Sequence, residues 1–157
     1  MSVAPTVIQA LKFKGIDFTV VEHLHTATSA GSAHAAHVDA GRLAKAVLLK
    51  DNGGLVLAVL PASETVDIEH LGRVLHRPLR LASEDDVGEA FYDCERGAVP
   101  PLGEDYRIPT IVDECFRQMD EVFFEAGDHQ RLVHITADGF SRLMEDAEFL
   151  DVSARGS

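Results

Sequence analysis

The chain has 157 residues, of which 46% are hydrophobic and 25% charged, values typical of one globular domain that buries a core without disulfides. Its formal net charge of −12 argues against a DNA-binding or general nucleic-acid-binding protein, although a small contact with the end of an RNA stays open. No stretch approaches the roughly 18 apolar residues of a membrane span. Because Cys94 and Cys115 form no CxxC pair and the N-terminus resembles no leader, we expect a cytoplasmic protein without membrane contact.

The first forty residues predict two helices and a strand. Pro5–Lys14 places apolar residues on one helical face and is followed by Gly15, a common helix terminator. Ile16–Val21 alternates like a strand. Ser29–Val38 is rich in alanine and predicts a second helix, which ends before Gly41.

The next stretch, Leu43–Pro61, predicts a β-hairpin. Two apolar runs flank the sequence Asp-Asn-Gly-Gly, where Asn and Gly supply the positive φ of a tight reversal. Val47 and Leu49 would point to one face of the sheet, and Ala46 and Leu48 to the other. Because both faces are apolar, we expect both to be covered.

The second half of the chain predicts shorter elements. Ser63 or Thr65 can cap a helix that runs through Leu75, and a capping box at Ser83 would open a helix to about Phe91. The remaining predicted elements are the extended segments Leu79–Ala82, Thr110–Val112, Glu121–Glu125 and Leu132–Ile135 and a last helix capped by Thr136.

Strands and helices interleave irregularly around a central hairpin, which does not fit a regular parallel βαβ series. We therefore predict a mixed α/β (α+β) fold, with a central mixed sheet wrapped by helices. Residues 1–150 are expected to form a single compact domain, and residues 151–157 a frayed tail.

The loop Gly97–Gly103, with the sequence GAVPPLG, is the most informative one. Two prolines beginning at Pro100 fix φ and remove amide donors, so that the N–H groups of Gly97, Ala98 and Val99 remain available. Stiff backbone donors at a pocket rim suit a carbonyl or a developing oxyanion. A rigid turn without a ligand is the alternative.

Lys45 interrupts the apolar pattern at the start of the first hairpin strand. A cation that is desolvated there without a partner costs several kcal/mol. It must therefore either extend to water or meet an anionic group. Lys45 and the loop at Gly97 could together cradle one anion.

Asp113 and the histidines leave alternatives open. Asp113 ends a strand and would either orient a site group or cap the helical turn that follows. His129, after Gly127 in a loop between strands, would either contact a ligand or lie on the surface. His34 and His37 could share a helix face, but no third ligand set follows, so we expect no metal and no other cofactor.

Familiar signatures of a nucleophile are absent from the sequence. It contains no GxSxG motif, no phosphate-binding GK[ST] and no signature of an activated thiol. If the protein is an enzyme, we expect water to be the attacking group, assisted by electrostatics.

Six segments in fixed order resemble the YbaK/EbsC and ProX-type aminoacyl-tRNA editing domain family. They are LAKAVLLK, LAVLPASETVDIEHL, LRLASEDDV, GAVPPLG, IPTIVDE and EVFFEAGDHQRLVHI. The resemblance covers about Ile16 to Met144, and the family also occurs as an insertion in bacterial prolyl-tRNA synthetases. It implies a partly barrel-like sheet and a pocket for the aminoacylated 3′ end of a tRNA.

The resemblance also implies site residues. Lys45 corresponds by position to the functionally important lysine of the family, and Gly97 to the glycine of its GxxxP loop, so that these two are the expected catalytic residues. The expected substrate-binding residues are Thr28, Ala98, Val99, Pro100, Asp113, Gly127 and His129.

The implied activity is that of a free-standing deacylase that hydrolyses a misacylated tRNA, such as Ala-tRNAPro or Cys-tRNAPro. The chain departs from the family at Phe91–Glu95, where many members carry Thr-Gly, which leaves the amino acid open. The main alternative is a non-catalytic module that binds aminoacyl-tRNA or an aminoacyl-tRNA synthetase. A weaker alternative is a metal-dependent hydrolase that uses the histidines.

Overall fold

The computed structural model describes residues 3–24, 29–95 and 98–153. Its helices are α1 (Pro5–Phe13), α2 (Ser29–Ala35), α3 (Ile68–Leu75), α4 (Glu84–Ala90) and α5 (Ala137–Leu143). Its strands are β1 (Thr19–Glu22), β2 (Leu43–Asp51), β3 (Gly54–Pro61), β4 (Arg80–Leu81), β5 (Thr110–Asp113), β6 (Glu121–Glu125), β7 (Arg131–Thr136) and β8 (Glu148–Leu150). Short 3₁₀ helices cover Ala40–Arg42, Glu104–Tyr106 and Glu114–Gln118.

The predicted hairpin is confirmed as β2 and β3, which pair antiparallel from Ala44 with Pro61 to Asp51 with Gly54. Its turn is closed by the Asp51 carboxylate, which accepts hydrogen bonds from the N–H groups of Gly53 and Gly54 at 2.8 and 2.9 Å. The positive φ predicted for the turn is found at Gly54 (+155°) but not at Asn52, so the Asp51 side chain does much to close the turn and fix the register of the two longest strands.

The strands form one mixed sheet in the order β1-β7-β6-β2-β3-β5-β8, and β4 pairs with β2 outside this path. The pairs β2–β6, β3–β5 and β5–β8 are parallel, whereas β1–β7, β6–β7 and β2–β3 are antiparallel. The mixed α/β fold predicted from the sequence is confirmed.

Helices cover both faces of this sheet, as the apolar hairpin predicts. Ala46 and Leu48 face a core formed with α1, α4 and α5. Val47 and Leu49 face a second core around Leu71 of α3. On that same face, Leu43 packs into a third cluster with Ala33 of α2, Ala62 and Leu132. The α2 and α3 helices therefore lie side by side on one face, over different parts of β2.

Two terminal elements differ from the prediction because long-range contacts decide them. The first strand begins at Thr19 and not at Ile16, whose side chain is buried in the core beside α5. At the C-terminus the expected fraying from Asp151 is wrong for Val152 and Ser153, which are buried and hydrogen bonded. The strand β8, which precedes them and pairs with β5, lacks a sequence signal of its own.

The capping predictions gave a mixed outcome. The capping box of Ser83 with Asp86 and the cap of Thr136 on Gly139 are both present. The cap predicted at Ser63 or Thr65 is wrong, because the Asp67 carboxylate accepts the bond from the His70 N–H and starts α3 there. Asp67 is itself a favoured N-cap residue, and it directly precedes Ile68, the first residue of α3.

Within the described ranges, none of the helices is both long and apolar enough to cross a membrane.

Candidate functional site

Lys45 lies on β2 between the two clusters of one sheet face. Leu43 belongs to the α2 cluster and Val47 to the α3 cluster, and Lys45 lies midway between them along β2. Side chains two residues apart on a strand share a face, so the half-buried Lys45 side chain lies on the sheet face between the two helix-covered regions. This position on the sheet face is called the crevice below.

The crevice lies beside the point where β2 and β6 stop pairing. β2 and β6 pair in parallel only at Leu43 with Phe123 and Ala44 with Phe124. One residue further along, β2 continues with Lys45 while β6 ends with Glu125. Ligands of α/β proteins commonly bind where neighbouring strands separate in this way.

A second carboxylate follows on the other side of Lys45. Lys45 pairs with Leu60 of β3, and β3 pairs with β5 through Val59 and Val112. The next residues on those two strands are Leu60 and Asp113. Glu125, Lys45, Leu60 and Asp113 therefore occupy neighbouring positions on the successive strands β6, β2, β3 and β5, so that Lys45 lies on a strand between the two strands that carry these carboxylates.

The surroundings of Lys45 make its charge costly. The side chain is partly buried, and burial lowers the pKa of its ammonium, while the charge of Glu64 acts in the opposite direction. The sequence left open whether Lys45 extends to water or meets an anionic group. The structure shows some of each, because the side chain is only partly buried and the charge of Glu64 acts on it. A poorly solvated cation interacts strongly with any anion that enters the crevice.

Asp113 caps the helical turn that follows it. Its carboxylate accepts hydrogen bonds from the N–H groups of Cys115 at 2.9 Å, Val152 at 3.1 Å and Ser153 at 3.2 Å. The capping alternative is therefore confirmed. A ligand contact through the same oxygens would compete with these three bonds.

Glu64, Asp113 and Cys115 are a group of potential metal ligands in the described part of the chain, with one atom of each within 4.8 Å of the others. No histidine belongs to this group. Because the Asp113 oxygens already hold three backbone N–H groups, the cluster first serves to join β5 to the C-terminal segment.

The GAVPPLG loop is buried from Ala98 onward, as a stiff loop should be. One expected donor is corrected: the Ala98 N–H donates to the Glu95 carbonyl at 3.1 Å and closes a turn. For the Val99 N–H, no acceptor is found among the described residues. Val99 and Pro100 keep their expected place in the loop, whereas Gly97 and Thr28 lie outside the described residues.

The segment Phe91–Glu95, which departs from the family pattern, braces the fold in front of this loop. The Asp93 carboxylate accepts hydrogen bonds from the Tyr106 hydroxyl at 2.6 Å and the Thr6 hydroxyl at 2.7 Å. Burial raises the pKa of Asp93, but the bonds from Tyr106 and Thr6 outweigh it, so that the pKa is lowered overall. Asp93 therefore links α1 as a carboxylate to the 3₁₀ helix Glu104–Tyr106, which follows the loop.

Glu95 forms hydrogen bonds to the loop that carries His129. The Glu95 N–H donates to the Gly127 carbonyl at 2.7 Å, and its carboxylate accepts from the His129 N–H at 2.9 Å. His129 is only 3% exposed, so the surface alternative considered for it is wrong. The structure thus ties His129 to Glu95, two residues before the predicted GxxxP loop.

Gly127 supports the same contact through its backbone. Its φ is +103°, and a Cβ built there would lie 2.6 Å from the Cβ of Ala4, whose N–H donates to the Ala126 carbonyl at 2.7 Å. Only glycine combines this φ with such a close approach.

We expect Gly127→Ala to lower the free energy of unfolding by about 2–4 kcal/mol, because the strained φ and the contact with Ala4 both oppose the new Cβ. Urea denaturation measures this loss. The control is Gly88→Ala in α4, where a Cβ meets nothing within 4 Å and the change should be neutral or stabilising by up to about 1 kcal/mol. Equal stabilities of the two variants would contradict the assignment.

Sequence reasoning missed the carboxyl group of Glu125. This residue is 0% exposed and lies on the same face of β6 as Phe123. Strict alternation along the strand EVFFE could have found it, because the residue two after an inward Phe must also point inward. Near it lie Glu95 and Asp128, which act on its titration.

Comparison with known proteins adds a sequence family and several solved structures. The model of the aminoacyl-tRNA editing domain family matches residues 23–143, a range that contains Lys45, Glu64, Asp113, Glu125 and His129. A proposed trans-editing enzyme for prolyl tRNA synthetase is 26% identical, with a TM-score of 0.82, and the match covers 98% of this chain and 100% of that chain.

Two further solved structures share the fold. A scaffold protein used for computational epitope backbone grafting is 25% identical, with a TM-score of 0.81 and coverage of 96% of this chain and 99% of that chain. A hypothetical protein is 22% identical, with a TM-score of 0.81 and coverage of 95% and 99%; at that identity it speaks only for the fold.

Proposed function

The chain belongs to the aminoacyl-tRNA editing domain family, and we propose that it is a free-standing deacylase that hydrolyses the ester of a misacylated tRNA. The proposed substrate is a small amino acid, such as Ala or Cys, on tRNAPro or a related tRNA. In this proposal the protein binds only the 3′ end of the tRNA, which is compatible with its net charge of −12.

The observation that carries the proposal is the position of Lys45. A partly desolvated cation stands in the crevice where β2 and β6 separate, next to the helix-covered region of α2. Ester hydrolysis passes through an oxyanion, and each well-placed donor to that oxyanion contributes about 10²–10³ in rate. Lys45 would stabilise this charge or a phosphate of the terminal nucleotide.

The other proposed roles follow from the loops that flank the crevice. Gly97 and the Val99 N–H would bind the aminoacyl carbonyl and the terminal ribose, with Pro100 holding the loop in shape. Thr28 and His129 would contact the aminoacyl group. Water would be the nucleophile, since an aminoacyl ester is already reactive and a site that positions water and stabilises charge suffices.

A non-catalytic module of the same fold is the second candidate function. It is favoured by the acidic composition, because an enzyme of net charge −12 must find tRNA without long-range attraction. Such a module would retain the crevice for an aminoacyl end, or would dock on an aminoacyl-tRNA synthetase that supplies the tRNA.

A deacylation panel distinguishes the two functions. tRNAPro, tRNACys, tRNAThr and tRNAAla, each charged with Ala, Cys, Ser or Pro where a suitable synthetase allows, are incubated with the protein and the remaining ester is measured. Hydrolysis of one pair well above the buffer rate is the expected result and names the substrate. Binding of these tRNAs or of a synthetase without any hydrolysis would instead support the module.

A further inference from the structure

The carboxyl group of Glu125 is buried beside the point where β2 and β6 stop pairing, and the described residues offer it no well-formed hydrogen bond. It ends β6, directly after the last residue that pairs with β2, and it is 0% exposed. Among the described residues, neither carboxyl oxygen has a hydrogen-bond partner of ordinary geometry, although the Ser32 hydroxyl of α2 lies close enough to influence it. Leaving such a group unsatisfied costs free energy, so it demands an explanation.

Neighbouring charges make the group more unusual. The pKa of Glu125 is raised to about 8, mainly by burial and in smaller part by the charges of Asp128 and Glu95, while the Ser32 hydroxyl acts to lower it. The Asp128 carboxylate is balanced by Arg131 at 2.7 Å. Glu95 holds the His129 N–H. Glu125 is thus a buried acid in a negative environment.

Lys45 does not donate a hydrogen bond to Glu125, whose two carboxyl oxygens have no partner among the described residues. The anion that acts on the pKa of Lys45 is Glu64, and the groups that act on Glu125 are Ser32, Asp128 and Glu95. A ligand with both charges could therefore place its cationic group against the Glu125 carboxylate and its anionic group against the Lys45 ammonium.

We propose that Glu125 binds the α-ammonium group of the aminoacyl ester, so that the crevice recognises a free amino group at one end and the reacting ester or phosphate at Lys45. This inference rests on the proposed deacylase function and extends it to the substrate group that the site selects. An uncharged tRNA end or an N-acylated aminoacyl ester lacks this cation and would leave Glu125 unpaired.

The proton balance of binding follows from the state of each partner. Near neutral pH the Glu125 carboxyl is protonated, because its pKa lies at about 8. When the ligand arrives as an ammonium ion, Glu125 releases its proton to solvent as the ion pair forms. When the ligand arrives as a neutral amine, the proton passes from Glu125 to the amine and none is released.

The first test compares Ala-tRNAPro, or the pair that the panel identifies, with its N-acetylated form. After each rate is divided by the spontaneous hydrolysis rate of the same ester, we expect wild-type protein to prefer the free amine at least about 10-fold in kcat/KM, on the scale measured for hydrogen bonds to charged groups. Glu125→Gln should remove this preference by slowing the free-amine substrate while leaving the N-acetyl substrate unchanged. Glu125→Asp should restore part of it.

The matched control is Glu121→Gln. Glu121 lies on the same strand and face, but its side chain is half-buried and pairs with His134 at 2.9 Å, so the preference should persist. Equal rates on the two substrates in wild-type protein would overturn the proposal. So would a Glu125→Gln variant that keeps the preference, or one that loses activity equally on both substrates, since that pattern indicates a merely structural role.

A binding measurement separates this proposal from the deacylase proposal. The probe is adenosine that carries alanine through a 3′ amide, with and without N-acetylation, and calorimetry measures its affinity. Amine-dependent binding that disappears in Glu125→Gln would support the recognition of the amino group even if no tRNA is hydrolysed. Hydrolysis of the tRNA ester without any dependence of binding or rate on the amino group would support the deacylase proposal and refute the role of Glu125. If there is neither hydrolysis nor amine-dependent binding, both proposals are refuted.

Discussion

Replacing Lys45 with alanine should lower kcat/KM for deacylation by at least about 10²-fold, the scale of one lost donor to a developing oxyanion. The side chain is partly buried in the crevice, where a cation is worth more than in water. Stability should change by less than about 1 kcal/mol, because removing a desolvated charge offsets the lost attraction to Glu64. Initial rates on the substrate from the deacylation panel, together with urea denaturation, measure both quantities.

Two further variants make this test specific. Lys45→Met keeps an unbranched apolar stem and removes only the charge, so it should be as inactive as Lys45→Ala. Lys50→Ala changes a lysine on the same strand that pairs with Asp86 at 2.8 Å, and it should retain full activity. Retained activity in both Lys45 variants would refute the assignment of this residue to catalysis.

Glu125→Gln should make the protein more stable at alkaline pH than the wild type, with a difference that grows as the pH rises. The folded-state pKa of Glu125, about 8, exceeds the ordinary value of 4.5. A raised folded-state pKa contributes stability that is fully present below pH 4.5 and is lost as the pH rises to about 8, because the unfolded chain ionises first. The Gln variant lacks this loss, and the difference should reach a few kcal/mol by pH 8.

Urea denaturation at pH 5, 6, 7, 8 and 9 measures this difference. Asp128, with its partner Arg131, and Glu95 and His129 are present in both proteins, so their own titrations cancel to first order. Glu148→Gln, which changes an exposed glutamate of β8, is the control here, and its stability difference from wild type should stay flat with pH. Parallel curves for Glu125→Gln and wild type would show that Glu125 is not a buried neutral acid.

Local signals made much of the fold predictable. The hairpin, the capping box at Ser83 and the cap at Thr136 each depend on residues within four positions of one another, and all three are confirmed. The strand β8 and the burial of Val152 depend on pairing with β5 and on the Asp113 carboxylate, about 40 residues earlier. No short window of sequence contains that information.

The candidate site was predictable only in part for the same reason. Lys45 was identified because a charge in an apolar strand is visible in the sequence, and the structure places it in the crevice. Alternation along β6 could have shown that Glu125 points inward, but its position beside the end of the β2–β6 pairing and the links from Glu95 to the loop of His129 became apparent only from the structure. The roles of Gly97 and Thr28 stay predictions, since both lie outside the described residues.

The order of the strands in the sheet also has a consequence for how the protein reaches its native state. β1 pairs with β7, so that Thr19 contacts His134, which lies 115 residues later in the sequence. β5 likewise pairs with β8, which is close to the C-terminal end of the described chain. Folding rates fall as contacting residues become more distant along the chain. During synthesis on a ribosome the central hairpin can therefore form early, whereas the two sheet edges close only once almost the entire domain has left the exit tunnel.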